Sequence, residues 1–167
     1  MEDFLTYGLI GYPVRHSFSP TVFNLYFEYY GMNAAFITIQ LKKGELRKLF
    51  DEYSETLSLG GFTCTMPHKE DVIPYLDELS DAARECGSVN VVSLRDGKRR
   101  GHTTDGLGCL RAFEASGRKA KDQKAVIFGV GGASKSIAHA LKTAGAEVTL
   151  LSRDSGKASS IARSLGG

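Results

Sequence analysis

Ala125-Val126-Ile127-Phe128-Gly129-Val130-Gly131-Gly132-Ala133 is the stretch that decides how this 167-residue chain folds. A strand-like run, Lys124 to Phe128, ends in glycines, and a helical pattern, Ala133 to Ala144, follows directly. A second strand-like run, Glu147 to Leu151, comes after it. Strand, tight turn, helix and second strand at this spacing form the βαβ unit that binds dinucleotides. One glycine permits the turn, another lets the backbone approach a pyrophosphate, and small residues let helix and strand pack closely. The helix start offers unpaired N–H groups and the positive end of its dipole. Gly129, Gly131, Gly132 and Ala133 are therefore the candidate phosphate-binding residues. A ligand-free turn would need the same tightness, but the second strand at the expected distance favours a cofactor.

The tip of that second strand selects the cofactor. NAD sites commonly carry an acid there for the ribose hydroxyls, whereas NADP sites carry a base for the extra phosphate. Here Ser152-Arg153-Asp154 follows the strand, with Lys157 close behind. Ser152, Arg153 and Lys157 suit a 2′-phosphate, which predicts NADP rather than NAD. A solvated arginine partly neutralised by Asp154 is the plainer reading of the same residues.

Working outward from the glycine turn, strand-like and helix-like segments alternate throughout, which predicts an α/β architecture with parallel strands. Tyr7 to Gly11, Ala34 to Gln40 and Phe62 to Thr65 read as strands. Ser19-Pro20 opens a helix, serine as cap and proline at a tolerated position. Val22, Phe23, Leu25, Tyr26, Tyr29 and Tyr30 give it a broad apolar face, and Gly31 ends it. Gly44 to Tyr53, Leu76 to Cys86 (with Ser80 as cap) and Asp105 to Ser116 read as further helices. Val89 to Leu94 leads into Asp96-Gly97, a tight-turn signal, so the chain doubles back through residues 98 to 103. The polar stretch Gly117 to Gln123 reads as a domain boundary.

Composition narrows the function classes. The chain is 42% hydrophobic and 24% charged, so it can bury a core and no segment demands disorder. Twenty-one basic and 19 acidic residues are scattered, and Lys98-Arg99-Arg100 sits beside the tight turn, which argues against nucleic acid. Cys64, Cys86 and Cys109 form neither a disulfide framework nor a C-x-x-C site. Free thiols, no signal-peptide pattern at Met1-Glu2-Asp3 and no apolar run near ~20 residues predict a cytoplasmic protein without membrane contact. His68, His102 and His139 lack metal-ligand spacing, which predicts no metal.

Four upstream segments concentrate small polar and ionisable residues at strand ends: Gly11 to Pro20, Thr63 to Lys69, Gly87 to Asn90 and Gly101 to Asp105. Singly, each has a bland account: Ser17, Ser19 and Asp105 as helix caps, Lys69 as a surface lysine. Together, ahead of a dinucleotide turn, they resemble the shikimate dehydrogenase family. Gly11, Pro13, His16, Ser17, Ser19 and Pro20 match its G-x-P-x-x-H-S-x-S-P pattern, and Thr65, Pro67 and Lys69 its N-V-T-x-P-x-K pattern. Thr63 and Cys64 stand where asparagine and valine are usual. Gly87 and Asn90 match G-A-x-N-T, with Ser88 and Val91 replacing alanine and threonine. Gly101, Thr104 and Asp105 match G-x-N-T-D, with Thr103 replacing asparagine.

The resemblance implies reversible, NADP-dependent reduction of 3-dehydroshikimate to shikimate, a step towards chorismate and the aromatic amino acids. It implies that Ser17, Ser19 and Thr65 hold the substrate carboxylate and that Asn90, Lys69 and Asp105 hold ring hydroxyls. Lys69 would be the acid/base for the hydroxyl proton, with Asp105 orienting it. Burial would favour its neutral amine and Asp105 its ammonium form, two opposed effects. His16 would organise its loop. The implied fold is an N-terminal three-layer α/β substrate domain (residues 1–103) with a mainly parallel sheet, a connecting helix and linker (104–123), and an incomplete Rossmann-like doubly wound domain (124–167). Gly167 falls after two strands and a second helix of that last domain, as in a piece of a longer enzyme or a short form. Quinate dehydrogenase, and a non-catalytic ring-acid-binding protein, are the alternatives, and the expected state is monomer or homodimer.

Overall fold

The computed structural model describes residues 4–166 and divides into two compact units. One unit runs to Glu78 and includes Asn90–Gly101; the other comprises Leu79–Val89 and continues from His102.

The first unit is built on a mixed sheet. Its strands are β1 (Leu5–Gly11), β2 (Ala34–Gln40), β3 (Leu59–Cys64), β4 (Glu78–Leu79), β5 (Val91–Arg95) and β6 (Lys98–His102), in the order β2-β1-β3-β5-β6-β4. β1 runs parallel to both β2 and β3, and β5 antiparallel to β3. Asp96 and Gly97 both take positive φ, 55° and 69°, the primed turn whose twist suits a hairpin. Leu9, Ile10, Phe36, Phe62 and Val92 are buried and hold the strands to the helices. α1 (Ser19–Tyr29) covers β1 and β2, while α2 (Leu46–Lys48), a π-turn at Leu49–Tyr53 and α3 (Ser54–Thr56) follow β2. α4 (His68–Asp71) follows β3.

The second unit contains α5 (Asp81–Cys86), α6 (Asp105–Ala115), β7 (Lys124–Phe128), α7 (Gly132–Thr143), β8 (Glu147–Leu151) and α8 (Ser155–Ser164). β7 and β8 pair in parallel in a two-stranded sheet, the βαβ arrangement that the glycine stretch predicts. α7 packs against α5 and α6. Its buried residues are mostly small, among them Ala83, Ser136, Ala138, Ala146 and Ala158, together with Cys86, Val89 and Ile161.

Four local expectations differ from the structure. The helix expected over residues 76–86 begins only at Asp81, because residues 78–79 pair as β4; Ser80 does cap it, accepting the Ala83 N–H at 3.3 Å. Ser19 is not the cap of α1: it is the first helical residue, and Ser17 Oγ accepts its N–H at 3.2 Å. The helical stretch expected over residues 44–53 runs from Leu46 to Thr56. Most of the apolar face expected on α1 points to solvent, for only Phe27 is buried, with Phe23 stacked on Phe36 at 4.4 Å. Among the described residues no helix is long and apolar enough to cross a membrane.

Candidate active site

β1 and β3 run parallel and β5 runs against them, so the C-terminal ends of β1 and β3 and the start of β5 share one end of the sheet. Ser17 and Ser19 follow β1, Thr65 and Lys69 follow β3, and Asn90 precedes β5. Topology thus gathers five separated residues at the end of a sheet where α/β proteins bind ligands. Backbone bonds fasten the loops to each other. Thr65 N–H donates to Ile10 O at 2.9 Å, Tyr12 N–H to Met66 O at 3.0 Å and Cys64 N–H to Asn90 O at 2.7 Å. Gly11 makes this approach possible, since a β-carbon there would lie 2.4 Å from Thr65 Cγ2 and 2.7 Å from Val14 Cγ1. Ser17 Oγ donates to Ser19 Oγ at 3.1 Å, which pairs the two hydroxyls.

Lys69 occupies the first turn of α4 and is half-buried. Its ammonium lies close enough to Cys64 to act on the thiol. Burial pushes the Cys64 thiol far above its ordinary value, and the Lys69 charge opposes that shift. Beneath this loop lies a residue whose role the sequence does not reveal. His68 is fully buried and its Nε2–H donates to Leu41 O at 2.7 Å, tying α4 to the chain after β2. The partners are 27 positions apart, and no local pattern marks them.

Asp105 lies in the second unit as the first residue of α6, half-buried. The turn that carries it is fixed to α7 by Ser136, a second contributor that sequence reading misses because it sits mid-helix. Ser136 Oγ accepts the Gly106 N–H at 2.9 Å and pairs with Thr103 Oγ1 at 2.8 Å. Thr103, standing where the resembling family has asparagine, thus spends its hydroxyl on α7. Gly106 permits the contact: a β-carbon there would lie 2.2 Å from Ser136 O.

The glycine turn has the form expected of it. Gly129 takes φ +102°, a conformation that favours glycine, and its N–H donates to Leu151 O at 2.7 Å. Gly131 is the N-cap of α7 and no side chain caps the helix, so its first amides lack a side-chain acceptor, and Gly131 itself lines a cleft. That cleft, about 620 Å³, is lined by Phe128, Gly129, Val130, Gly131, Leu151, Ser152, Arg153 and Lys157. Gly132 and Ala133 form the first turn of α7 behind it. Asp154 is engaged elsewhere: its carboxylate caps α8 by accepting the Lys157 N–H at 2.9 Å. Ser152 Oγ accepts the Asp154 N–H at 3.2 Å.

A β-glycine-α-β unit beside a basic cleft, carried on the same chain as a mixed α/β sheet with hydroxyls, an amide and a lysine at one end, is the architecture of a two-domain dinucleotide-binding protein. The shikimate dehydrogenase substrate binding domain matches residues 9–92. Over 157 residues the chain is 38% identical to shikimate dehydrogenase (NADP(+)) of Aquifex aeolicus, covering 94% of this chain and 58% of that protein. It is 42% identical over 157 residues to shikimate dehydrogenase (NADP(+)) of Thermococcus kodakarensis, covering 94% and 57%. Shikimate 5-dehydrogenase from Thermus thermophilus, crystallised with NADP(H) and shikimate, superposes with a TM-score of 0.88. It shares 31% identity and is matched over 97% of this chain and 61% of its own. The chain spans a little over half the length of these curated relatives. It belongs to the shikimate dehydrogenase family.

Proposed function

We propose that this protein interconverts 3-dehydroshikimate and shikimate with NADP, within the formation of chorismate and the aromatic amino acids. Residues 1–103 serve the substrate, 104–123 connect, and 124–167 serve the cofactor. Ser17, Ser19 and Thr65 bind the substrate carboxylate through hydroxyl hydrogen bonds, and Asn90, Lys69 and Asp105 bind ring hydroxyls. When bound, NADP supplies or accepts the hydride. The chain itself handles the proton. Lys69 takes it from the carbinol hydroxyl in one direction and returns it in the other, with Asp105 as the second member of the catalytic pair. The observation that carries this reading is the meeting of Ser17, Ser19, Thr65, Lys69 and Asn90 at one end of the β1-β3-β5 sheet.

The residues of the second unit fit NADP. The uncapped start of α7 offers amides to a phosphate, and a β-carbon at Gly131 would meet nothing within 4 Å, which leaves room for backbone contact with the pyrophosphate. Ser152, Arg153 and Lys157 line the same cleft and supply a hydroxyl and two cations for a 2′-phosphate, while Asp154 is held away as a helix cap. The free thiols of Cys64, Cys86 and Cys109 support a reducing compartment, the cytoplasm.

The test is absorbance at 340 nm after mixing shikimate and NADP with this chain, with any longer form of the protein, and with Lys69→Ala. NADPH formation that disappears in Lys69→Ala supports the reading. No NADPH from any form, together with no shikimate binding by calorimetry, defeats it; binding without turnover makes the protein a ring-acid binder.

A further inference from the structure

We infer that Ser136 is a positioning residue of the reaction: from α7 it caps the start of α6 and holds Asp105 in register with the cofactor-binding end of α7. This rests on the reading of Asp105 as the second member of the catalytic pair. Asp105 opens α6, and Thr104, the N-cap, makes no side-chain capping hydrogen bond. The first N–H groups of a helix have no partner within it and need one from outside. Gly106 is buried, and a buried donor left unpaired costs its full desolvation. Ser136 Oγ fills that place at 2.9 Å, and the same oxygen meets Thr103 Oγ1 at 2.8 Å. One hydroxyl thus grips both sides of the Thr104-Asp105 step. A mid-helix serine can point to solvent or turn back on its own helix. Ser136 is 2% exposed and serves another element instead.

Backbone contact fixes the same joint. A β-carbon on Gly106 would lie 2.2 Å from Ser136 O and 2.8 Å from Ala140 Cβ, so the two helices meet there with no side chain between them. Close packing of this kind leaves α6 little room to slip along α7. Charge agrees with position. Burial raises the Cys86 thiol above its ordinary value, and among the lesser influences Lys135 lowers it while Asp105 raises it. Asp105 and the residue preceding Ser136 on α7 therefore act on one sulfur at the end of α5. Ser136 also lies four residues after Gly132, about 6 Å further along the helix axis. α7 thus carries the phosphate-binding amides on its first turn and the anchor of Asp105 on its second. Displacing a reacting group by about 1 Å can cost up to roughly 100-fold in rate, so fixing the carboxylate to the helix that seats the cofactor has a direct kinetic value.

A double-variant cycle on the full chain tests this, read both as kcat/KM for shikimate and as the shikimate dissociation constant by calorimetry. Ser136→Ala should lower kcat/KM by roughly 10- to 100-fold and weaken shikimate, while the NADP dissociation constant is unchanged. In an Asp105→Asn background the same change should have no further effect, because a positioning residue acts only through the group it positions. The calorimetric arm closes the cycle even where Asp105→Asn has no measurable rate. Thr103→Val leaves the Gly106 bond in place and repeats the cycle if circular dichroism finds Ser136→Ala unfolded; its loss should be smaller and again absent beside Asp105→Asn. Losses that multiply across the two sites would make Ser136 a general brace and overturn the inference. So would parental kinetics in Ser136→Ala beside an impaired Asp105→Asn, an outcome that leaves the catalytic pair standing. Parental kinetics in Asp105→Asn, or neither turnover nor shikimate binding by the parent, would sink the proposed pair and this inference with it.

Discussion

A β-carbon added at Gly11, where β1 ends, would lie 2.4 Å from Thr65 Cγ2; one added at Gly131, where β7 gives way to α7, would meet nothing within 4 Å. The two glycines sit in the two motifs that bear the proposed chemistry, yet they are kept for opposite physical reasons. Around Gly11 three strand ends are pulled together by backbone bonds, so the motif is packed solid. Around Gly131 the protein leaves space, because what must approach is a ligand backbone of phosphates. The surroundings follow suit. β1 ends in four consecutive buried residues and four of the six residues of β3 are buried, whereas β7 and β8 alternate between exposed and half-buried positions, with Phe128 81% exposed. Parallel strands are normally covered on both faces, and this one is covered on one.

The largest expected effect separates chemistry from either kind of scaffold. Lys69→Ala should lower turnover by roughly 10²- to 10⁴-fold, the usual worth of a positioned acid/base. Its thermal midpoint should stay near that of the parent, since Lys69 is only half-buried. Steady-state rates at 340 nm beside a melting curve check both halves. Lost activity with a collapsed midpoint would mean that Lys69 braces the loop.

The glycine pair is the direct test of the contrast. Gly11→Ala should cost about 1–3 kcal/mol of stability, the range for forcing extra atoms into a packed site. Gly131→Ala has φ −85° and open space, so its unfolding midpoint in urea should not move, while its NADP affinity, measured by calorimetry, should fall. If both variants lose stability alike, the cofactor turn is as tightly packed as the substrate loops and the comparison breaks. Next in size comes Arg153→Ala, which removes one cation facing the cleft. Losing a hydrogen bond to a charged group costs about 1.5–3 kcal/mol, or roughly 10- to 100-fold in NADP affinity, and NAD binding should be unaffected. Equal weakening of both cofactors would leave the arginine out of 2′-phosphate recognition.

Legibility in the sequence follows the same divide. The βαβ unit is readable because its signals are local: a β-branched run, glycines, a helical period and a second run, and β7 and β8 have the very limits those patterns imply. The first unit is readable chiefly through motif resemblance, because nothing in the spacing of Ser17, Thr65 and Asn90 says that β1, β3 and β5 are neighbours. Contacts between distant positions stay hidden for that reason. His68 reaches Leu41, Asn24 reaches Phe36, and Ser136 reaches Thr103, each pair joined only by the fold. α1 misleads in another way. Its apolar residues look like a core-facing stripe, but a helical period cannot say which of two apolar faces meets the sheet.

Two buried serines of the second unit sharpen the contrast at the smallest scale. Ser136 and Ser88 are 2% and 0% exposed. Ser136 Oγ has two partners, the Gly106 N–H and the Thr103 hydroxyl, whereas Ser88 Oγ has none among the described residues. A buried hydroxyl with partners adds about 0.5–1.5 kcal/mol, and one without a partner forfeits its desolvation. Ser136→Ala should therefore destabilise by about 1–2 kcal/mol, because it also strands the buried Gly106 amide. Ser88→Ala should be neutral or stabilise by up to about 1 kcal/mol, since the family-like alanine fills nearly the same volume and strands no partner. Urea unfolding of both variants decides the matter. The expected signs are opposite, and a clear loss in Ser88→Ala would mean that a bound water completes the hydroxyl. Thr103→Val adds a further check, since its effect should vanish in the Ser136→Ala background if the two hydroxyls act as one unit. A Thr103 effect undiminished in that background would place its contribution elsewhere in the turn that carries Asp105.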